Sequence, residues 1–253
     1  MPSINWTEDY KPRSFSKSDF VLPEEHRQIF EEYSKGKRAQ HLLLTGTYGT
    51  GKTTAGQILR KKSQSEHFIS CTEYKQEKHW LKGGDCWKSI FVSQIPDFTP
   101  SEKRVRPIKK FVLLDEVDQL KTQTMLRSIL DEASNRQIIL CMTSNYPENI
   151  DPAIKSRSLR IHFGKGDSVW DNLESDNPPG SRDDIEDQII NFIFKIIKKE
   201  TKGNYGGKEN IIYLRDKILA KNYPDIRGIL VSAQTDIHDG KFTPPENKLK
   251  KSQ

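Results

Sequence analysis

The strongest constraint on this chain is the octet Gly46-Thr47-Tyr48-Gly49-Thr50-Gly51-Lys52-Thr53, which fits the pattern G-x-x-x-x-G-K-[ST]. It follows the apolar run Leu42, Leu43, Leu44 and opens a helix-like stretch at residues 53–62. That order of strand, loop and helix is the context the pattern requires. Glycines let backbone N–H groups turn inward around phosphate oxygens, and the helix N-terminus adds partial positive charge. Lys52 would then neutralise β- and γ-phosphate charge, and Thr53 would hold Mg2+.

Short apolar runs of strand length occur at residues 41–45, 68–71, 111–114 and 138–143, with helix-like segments such as 53–62 and 123–132 between them. Strands buried on both faces read as continuous apolar runs, and their alternation with helices predicts an α/β fold with a parallel sheet. The run Phe111-Val112-Leu113-Leu114 ends in Asp115-Glu116. Strand C-termini face the ligand crevice in such a sheet. Asp115 would therefore sit near the metal held by Thr53. Glu116 would orient or deprotonate an attacking water, which makes the chain a hydrolase rather than a binder. A solvated Asp-Glu turn is the alternative, and the position downstream of the glycine loop favours the site. Asn145 follows the run 138–143 and reads equally as a γ-phosphate contact or as a turn before Pro147. On the residues alone, Arg157 reads as a surface arginine.

The chain has 253 residues, 41 Lys+Arg against 35 Asp+Glu, a net charge of +6 and a mean hydropathy of −0.76. That length suits one large domain or two small ones, and one nucleotide-binding core uses most of it. The charge is local: residues 101–110 carry five basic and one acidic side chain, and residues 241–253 four and one. Cys71, Cys86 and Cys141 are scattered and form no C-x-x-C pair, so a zinc site or disulfide framework is not expected. The six histidines show no ligand spacing and read as structural or surface residues. Trp80 and Trp87 read as packing residues, and Lys103, Arg104, Arg106, Lys109 and Lys110 as a solvated loop by default, with a contact to DNA or a protein partner as the sharper alternative. No apolar stretch is long enough to span a bilayer, and a cytoplasmic location is expected. Residues 164–179 read as a linker, 181–199 and 208–221 as helices, and a further helix starts near Asp225. The tail from Phe242 is expected to be disordered.

Together these residues resemble the AAA+ ATPases, and within them the sliding-clamp loaders. The chain looks most like the large ATPase subunit of T-even-like bacteriophage loaders and is similar to the small subunits of eukaryotic replication factor C, from about Trp6 to Gln234. Tyr10-Lys11-Pro12 looks like the family's Tyr-Arg-Pro, residues 46–53 its Walker A loop and Leu114-Asp115-Glu116 its Walker B end. Thr143-Ser144-Asn145 resembles sensor 1, Ile154-Lys155-Ser156-Arg157-Ser158 the Ser-Arg-Cys box without its Cys, and Asn222-Tyr223-Pro224-Asp225-Ile226-Arg227 the start of the sensor 2 helix.

The resemblance implies an ATP hydrolase with ATP and Mg2+ as cofactors. Asp115, Glu116, Asn145 and an Arg157 acting on the adjacent subunit would be catalytic, with Thr53 and Asp115 at the metal. Gly46, Gly49, Thr50, Gly51, Lys52, Thr53, Thr54 and Arg227 would hold the nucleotide. Thr7, Tyr10 and Val21 would contact adenine, although on the residues alone Tyr10 and Val21 read equally as packing. Lys121, Thr122, Gln123 and Arg127 would face DNA, against the alternative of a solvated helix. The implied partners are a sliding clamp, primer–template DNA and further loader subunits, with no membrane, in a host cytoplasm if the source is viral. The implied architecture is a three-layer core over residues 1–180, a helical lid over 181–240 and a basic tail over 241–253, without the family's helical collar. Another DNA-directed motor, a helicase loader or a nucleotide-gated scaffold remains as the alternative function.

Overall fold

The computed structural model describes residues 5–63, 68–71, 110–120, 123–135, 138–164, 182–204, 208–238 and 241–242. The basic cluster 103–109, Trp80, Trp87, Lys121, Thr122 and nearly all of the expected linker lie outside the described residues.

Five parallel strands build the sheet: β1 (His41–Gly46), β2 (Phe68–Ser70), β3 (Lys110–Asp115), β4 (Ile138–Ser144) and β5 (Ser158–Phe163), in the order β2-β3-β4-β1-β5. Strand residues point alternately to opposite faces. Here that alternation sorts the apolar runs into two cores. Leu43, Val112, Leu114, Leu140 and Met142 face helices α4 (Thr124–Asn135) and α5 (Pro152–Ser156), meeting Leu126, Leu130 and Ile154. Leu42, Leu44, Phe111, Leu113, Ile139 and Cys141 face α2 (Glu24–Ser34) and α3 (Lys52–Lys62), meeting Phe30, Tyr33, Ile58 and Leu59. Burying one such leucine stabilises the fold by roughly 1.5–3 kcal/mol. The result is a three-layer α/β/α core, as the unbroken apolar runs predict.

Two elements depart from the expectation. β5 is an edge strand whose burial alternates, with Ile161 and Phe163 buried and Arg160 exposed, so it shows no continuous apolar run. α2 buries His26 and Arg27 beside Phe30 and Tyr33, which blurs its apolar face. The helix also starts after Pro23 with no side-chain cap.

A third core belongs to the helical part: α6 (Arg182–Glu200), α7 (Lys208–Tyr213), the π-helical turn Leu214–Leu219, α8 (Ala220–Asn222) and α9 (Ile226–Thr235). Ile189, Ile193, Ile197, Leu214, Leu219, Ile229 and Leu230 meet there. Trp6, on the short helix α1 (Trp6–Asp9), joins this core, as does Val21. Lys241 and Phe242, read above as the start of a disordered tail, instead form β7 (Lys241–Phe242). It pairs antiparallel with β6 (Ile237–His238), because the Phe242 ring is buried beside Tyr213. No helix among the described residues is long and apolar enough to cross a membrane.

Two histidines are part of the packing. His41 Nδ1 accepts from the Leu140 N–H (3.1 Å), so Nε2 carries the proton and donates to the Leu130 carbonyl (2.9 Å). One ring thus ties β1, β4 and α4 together. His26 is buried against Phe163, and desolvation, with His162 adjacent, pushes its imidazole down to about 4. Both rings are held neutral in the folded state, while the unfolded chain protonates near 6.5. The His26 contribution to stability is therefore complete above pH 6.5 and is lost as pH falls toward 4, and burial shifts His41 in the same direction. Thermal melts are expected to show Tm falling across that window. His26→Leu should flatten the fall, and an unchanged pH slope would exclude His26 as a cause.

Candidate functional site

Parallel strands bring their C-termini to one edge of the sheet. Gly46 ends β1, Ser144 ends β4 and Asp115 ends β3, with β4 lying between the other two. The glycine loop therefore stands one strand away from the Asp-Glu pair.

The loop is shaped by contacts that a side chain would block. Gly46 has φ 131°, and a Cβ there would lie 1.9 Å from the Phe163 carbonyl oxygen of β5. Gly49 has φ 74°, and a Cβ there would lie 1.6 Å from Asp225 Oδ1. Asp225 in turn caps α9 by accepting from the Gly228 N–H (2.9 Å), and the Arg227 N–H donates to the Gly49 carbonyl (3.3 Å). The loop and the first turn of α9 thus touch directly.

Lys52 is the first residue of α3 and is 5% exposed. Its Nζ donates to the Thr47 carbonyl at 2.5 Å. Burial pushes its ammonium down to about 8, against the upward pull of the Asp115, Asp118 and Glu116 carboxylates. The lysine is thus poised in a low-dielectric pocket edged by three acids.

Asp115 Oδ1 accepts from the Thr53 hydroxyl (2.7 Å) and from the Thr143 hydroxyl (2.6 Å). The Thr143 oxygen also accepts from the Glu116 N–H (2.9 Å). Hydroxyls from α3 and β4 therefore fix both Asp115 and the backbone of the next acid. Glu116 sits in the left-handed region (φ 59°, ψ 53°), uncommon for a residue with a side chain, and it leads the chain from Asp115, the last residue of β3, into the turn at Val117–Gln119. Asp118 Oδ1 accepts from the Asn145 N–H (3.1 Å), and Asn145 Nδ2 stands 3.5 Å from Glu116 Oε1. Thr53, Asp115, Glu116 and Asn145 are thus assembled as one cluster. Thr143 and Asp118 complete it. In the sequence Thr143 entered only as the first residue of the string resembling sensor 1, with no role of its own, and Asp118 was signalled only as a third acid just beyond Asp-Glu.

Beside the loop lies a pocket with about 630 Å3 of empty space, partly open to solvent. Thr7, Tyr10 and Val21 line it, together with Gly49, Thr50, Gly51, Thr54 and Arg227. Pro12, Phe20, Phe192, Ile226 and Leu230 supply apolar wall. Tyr10 is held by donating to Glu200, and its ring lies under Lys199 at 4.9 Å.

The remaining expected residues sit elsewhere. Arg157 follows α5, is exposed, and pairs with Asp131 (2.9 Å) while donating to the Ala153 carbonyl (3.1 Å). Gln123 bridges two backbone groups, donating to the Asn149 carbonyl (2.8 Å) and accepting from the Asp151 N–H (2.8 Å). Arg127 pairs with the Asp151 carboxylate at 2.5 Å. These two side chains tie the start of α4 to the turn before α5.

Residues 42–165 match the family described as ATPase family associated with various cellular activities (AAA). Replication factor C small subunit 2 of Pyrobaculum arsenaticum is 30% identical over 64% of this chain and 49% of its own length. Replication factor C subunit 3 of Schizosaccharomyces pombe is 27% identical over 64% of this chain and 45% of its own. This chain thus spans about half the length of the curated relatives it matches. Among solved structures, the replication initiator DnaA bound to AMPPCP and single-stranded DNA superposes with a TM-score of 0.58 at 18% identity, over 89% of this chain and 65% of that one. That likeness concerns the fold. Residues 42–165 thus match the AAA family, and over about 64% of its length the chain is similar to replication factor C small subunits.

Proposed function

We propose that this chain is the ATPase subunit of a sliding-clamp loader, using ATP binding and hydrolysis to place a clamp on primer–template DNA. The observation that carries the reading is the Asp115 junction. One carboxylate oxygen gathers the hydroxyls of the glycine-loop helix and of β4, and so sets Glu116 beside Asn145. The likeness to replication factor C small subunits supports the choice of machine.

The donor set suits Mg2+: a hydroxyl and a carboxylate oxygen 2.7 Å apart, both hard ligands, with Lys52 close by for phosphate. Bound there, the ion would neutralise phosphate charge. The chain's own groups do the rest. Loop N–H groups and Lys52 hold the phosphates, Glu116 takes a proton from water, and Asn145 orients Glu116. Thr7, Tyr10 and Val21 face the base, while the helical part from residue 182 closes over it as a lid carrying Arg227. Arg157 acts on the nucleotide of a neighbouring subunit. The start of α4, near Gln123 and Arg127, faces the DNA backbone.

The test combines purified chain, sliding clamp and companion loader subunits from the same source, and primed single-stranded DNA. ATPase stimulation by clamp plus primed DNA is expected. A chain that binds ATP but is not stimulated would contradict the loader assignment while sparing the nucleotide site.

Lys52→Ala is expected to abolish ATP binding. Glu116→Gln should keep binding and lower turnover about 100-fold or more. Arg157→Ala should keep binding and lower turnover in the assembled complex. Equal loss of binding and turnover would argue against that role. Thr143→Val leaves Asp115 and the Glu116 N–H each short of a partner. It should cost about 1–3 kcal/mol in chemical denaturation and slow turnover with ATP affinity little changed.

Lys52 also fixes a pH dependence. Phosphates favour its charged form, so its titration point rises from about 8 on binding. ATP affinity is expected to be flat below that point. Above it, affinity should fall by up to about tenfold per pH unit, with proton uptake measurable by calorimetry in buffers of different ionisation enthalpy.

A further inference from the structure

Arg27 is a charged side chain, 3% exposed, with no place in the chemistry above. It stands on α2, next to the pocket-lining segment but not in the pocket. Its guanidinium donates to three backbone carbonyls: Phe15, Phe20 (3.1 Å) and Leu22 (3.2 Å). Its Nε faces Glu24 at 3.5 Å. Burying a guanidinium is costly unless its donors are matched, so the segment from Phe15 to Leu22 and Arg27 fix each other. Asp19 closes the same segment from its other side, accepting from the N–H groups of Arg13 (2.9 Å) and Ser14 (2.6 Å).

What is fixed is one wall of the pocket. Asp19, Phe20 and Val21 all line it, and a Cβ on Gly51 would lie 2.9 Å from the Phe20 ring, so the segment also braces the glycine loop. In extended backbone, carbonyls two residues apart point to the same side, and the group between points to the other. The carbonyls of Phe20 and Leu22 both point at Arg27. By that alternation the N–H and C=O of Val21, a residue that lines the pocket, would turn away from Arg27. A neighbouring donor and acceptor on one edge match a purine with a ring-nitrogen acceptor beside an exocyclic amino donor. They mismatch a 6-oxo purine, which presents the reverse.

We propose that Arg27 is the positioning residue that sets the base selectivity of this pocket, holding the Val21 peptide so that it selects a 6-amino purine nucleotide. This rests on the nucleotide reading of the site and deepens it. Arg27 itself touches no ligand. Lysine offers a compact ammonium rather than a fork and cannot span three carbonyls at once.

The experiment measures affinities of the full chain and of Arg27→Lys and Arg27→Met for ATP, GTP, purine riboside triphosphate and inorganic tripolyphosphate, at a temperature where each protein is folded by circular dichroism. Wild type is expected to prefer ATP to both GTP and the riboside lacking the amino group by about tenfold or more, the worth of one well-placed hydrogen bond. Both variants should lose most of that preference while tripolyphosphate affinity changes by less than about twofold, well under the tenfold that 1.4 kcal/mol makes. Equal losses for all four probes would show a merely structural arginine and overturn the proposal, as would variants that keep the full preference for ATP. A folded wild type without any preference for the amino purine would overturn it even if neither variant folds. Failure of wild type to bind any of the four, tripolyphosphate included, would instead remove the nucleotide reading itself.

Discussion

One carboxylate oxygen holds the site together. Asp115 Oδ1 takes hydrogen bonds from Thr53 and Thr143, which lie on two different elements and far from it in the sequence. The glycine loop ends β1, the acids end β3, and β4 stands between them, so the junction exists only if three strands are in register. Sorting of apolar residues to the two faces of the sheet fixes that register, because a slip of one residue would turn every strand side chain to the wrong layer. The chemistry at the edge therefore depends on Leu42, Leu43 and Leu44 as firmly as on Asp115.

The segment before α2 has a second architectural role. Trp6 packs in the helical core, and its N–H donates to Gln234 Oε1 (3.3 Å). Tyr10 reaches Glu200 at the end of α6, while Phe15, Phe20 and Leu22 pack on the sheet side. A single stretch of chain thus crosses from one core to the other and forms the pocket wall on the way. The pocket is consequently made of parts that no single core controls.

The sheet's inner strands were legible because burial on both faces leaves an unbroken apolar run, as at 41–45, 111–114 and 138–143. The edge strand β5 was not, since only alternate residues, Leu159, Ile161 and Phe163, face the core, and the strand begins at Ser158, the end of the Ser-Arg-Ser string. In the site, Lys52, Thr53, Asp115 and Glu116 were legible because their spacing from glycines and from a strand end carries the signal locally. Asp118 and Arg27 were not, and Thr143 was visible only as part of a string in which Asn145 held the role. A threonine acquires its meaning when β4 is laid against β3, and an arginine on a helix looks solvated until a distant loop folds three carbonyls onto it. Interactions set by neighbours in space leave no periodicity in the chain.

The Arg227 N–H bonded to the Gly49 carbonyl has a kinetic consequence. Helix ends fray, because their first N–H groups have no partner within the helix. Here one of those groups is spent on the phosphate loop, so swinging α9 outward breaks a bond and leaves a loop carbonyl to be rehydrated. That bond is shared by the loop and the helix end, so displacing either one costs it. Whatever reshapes the peptide at Gly49 also alters the anchoring of the first turn of α9.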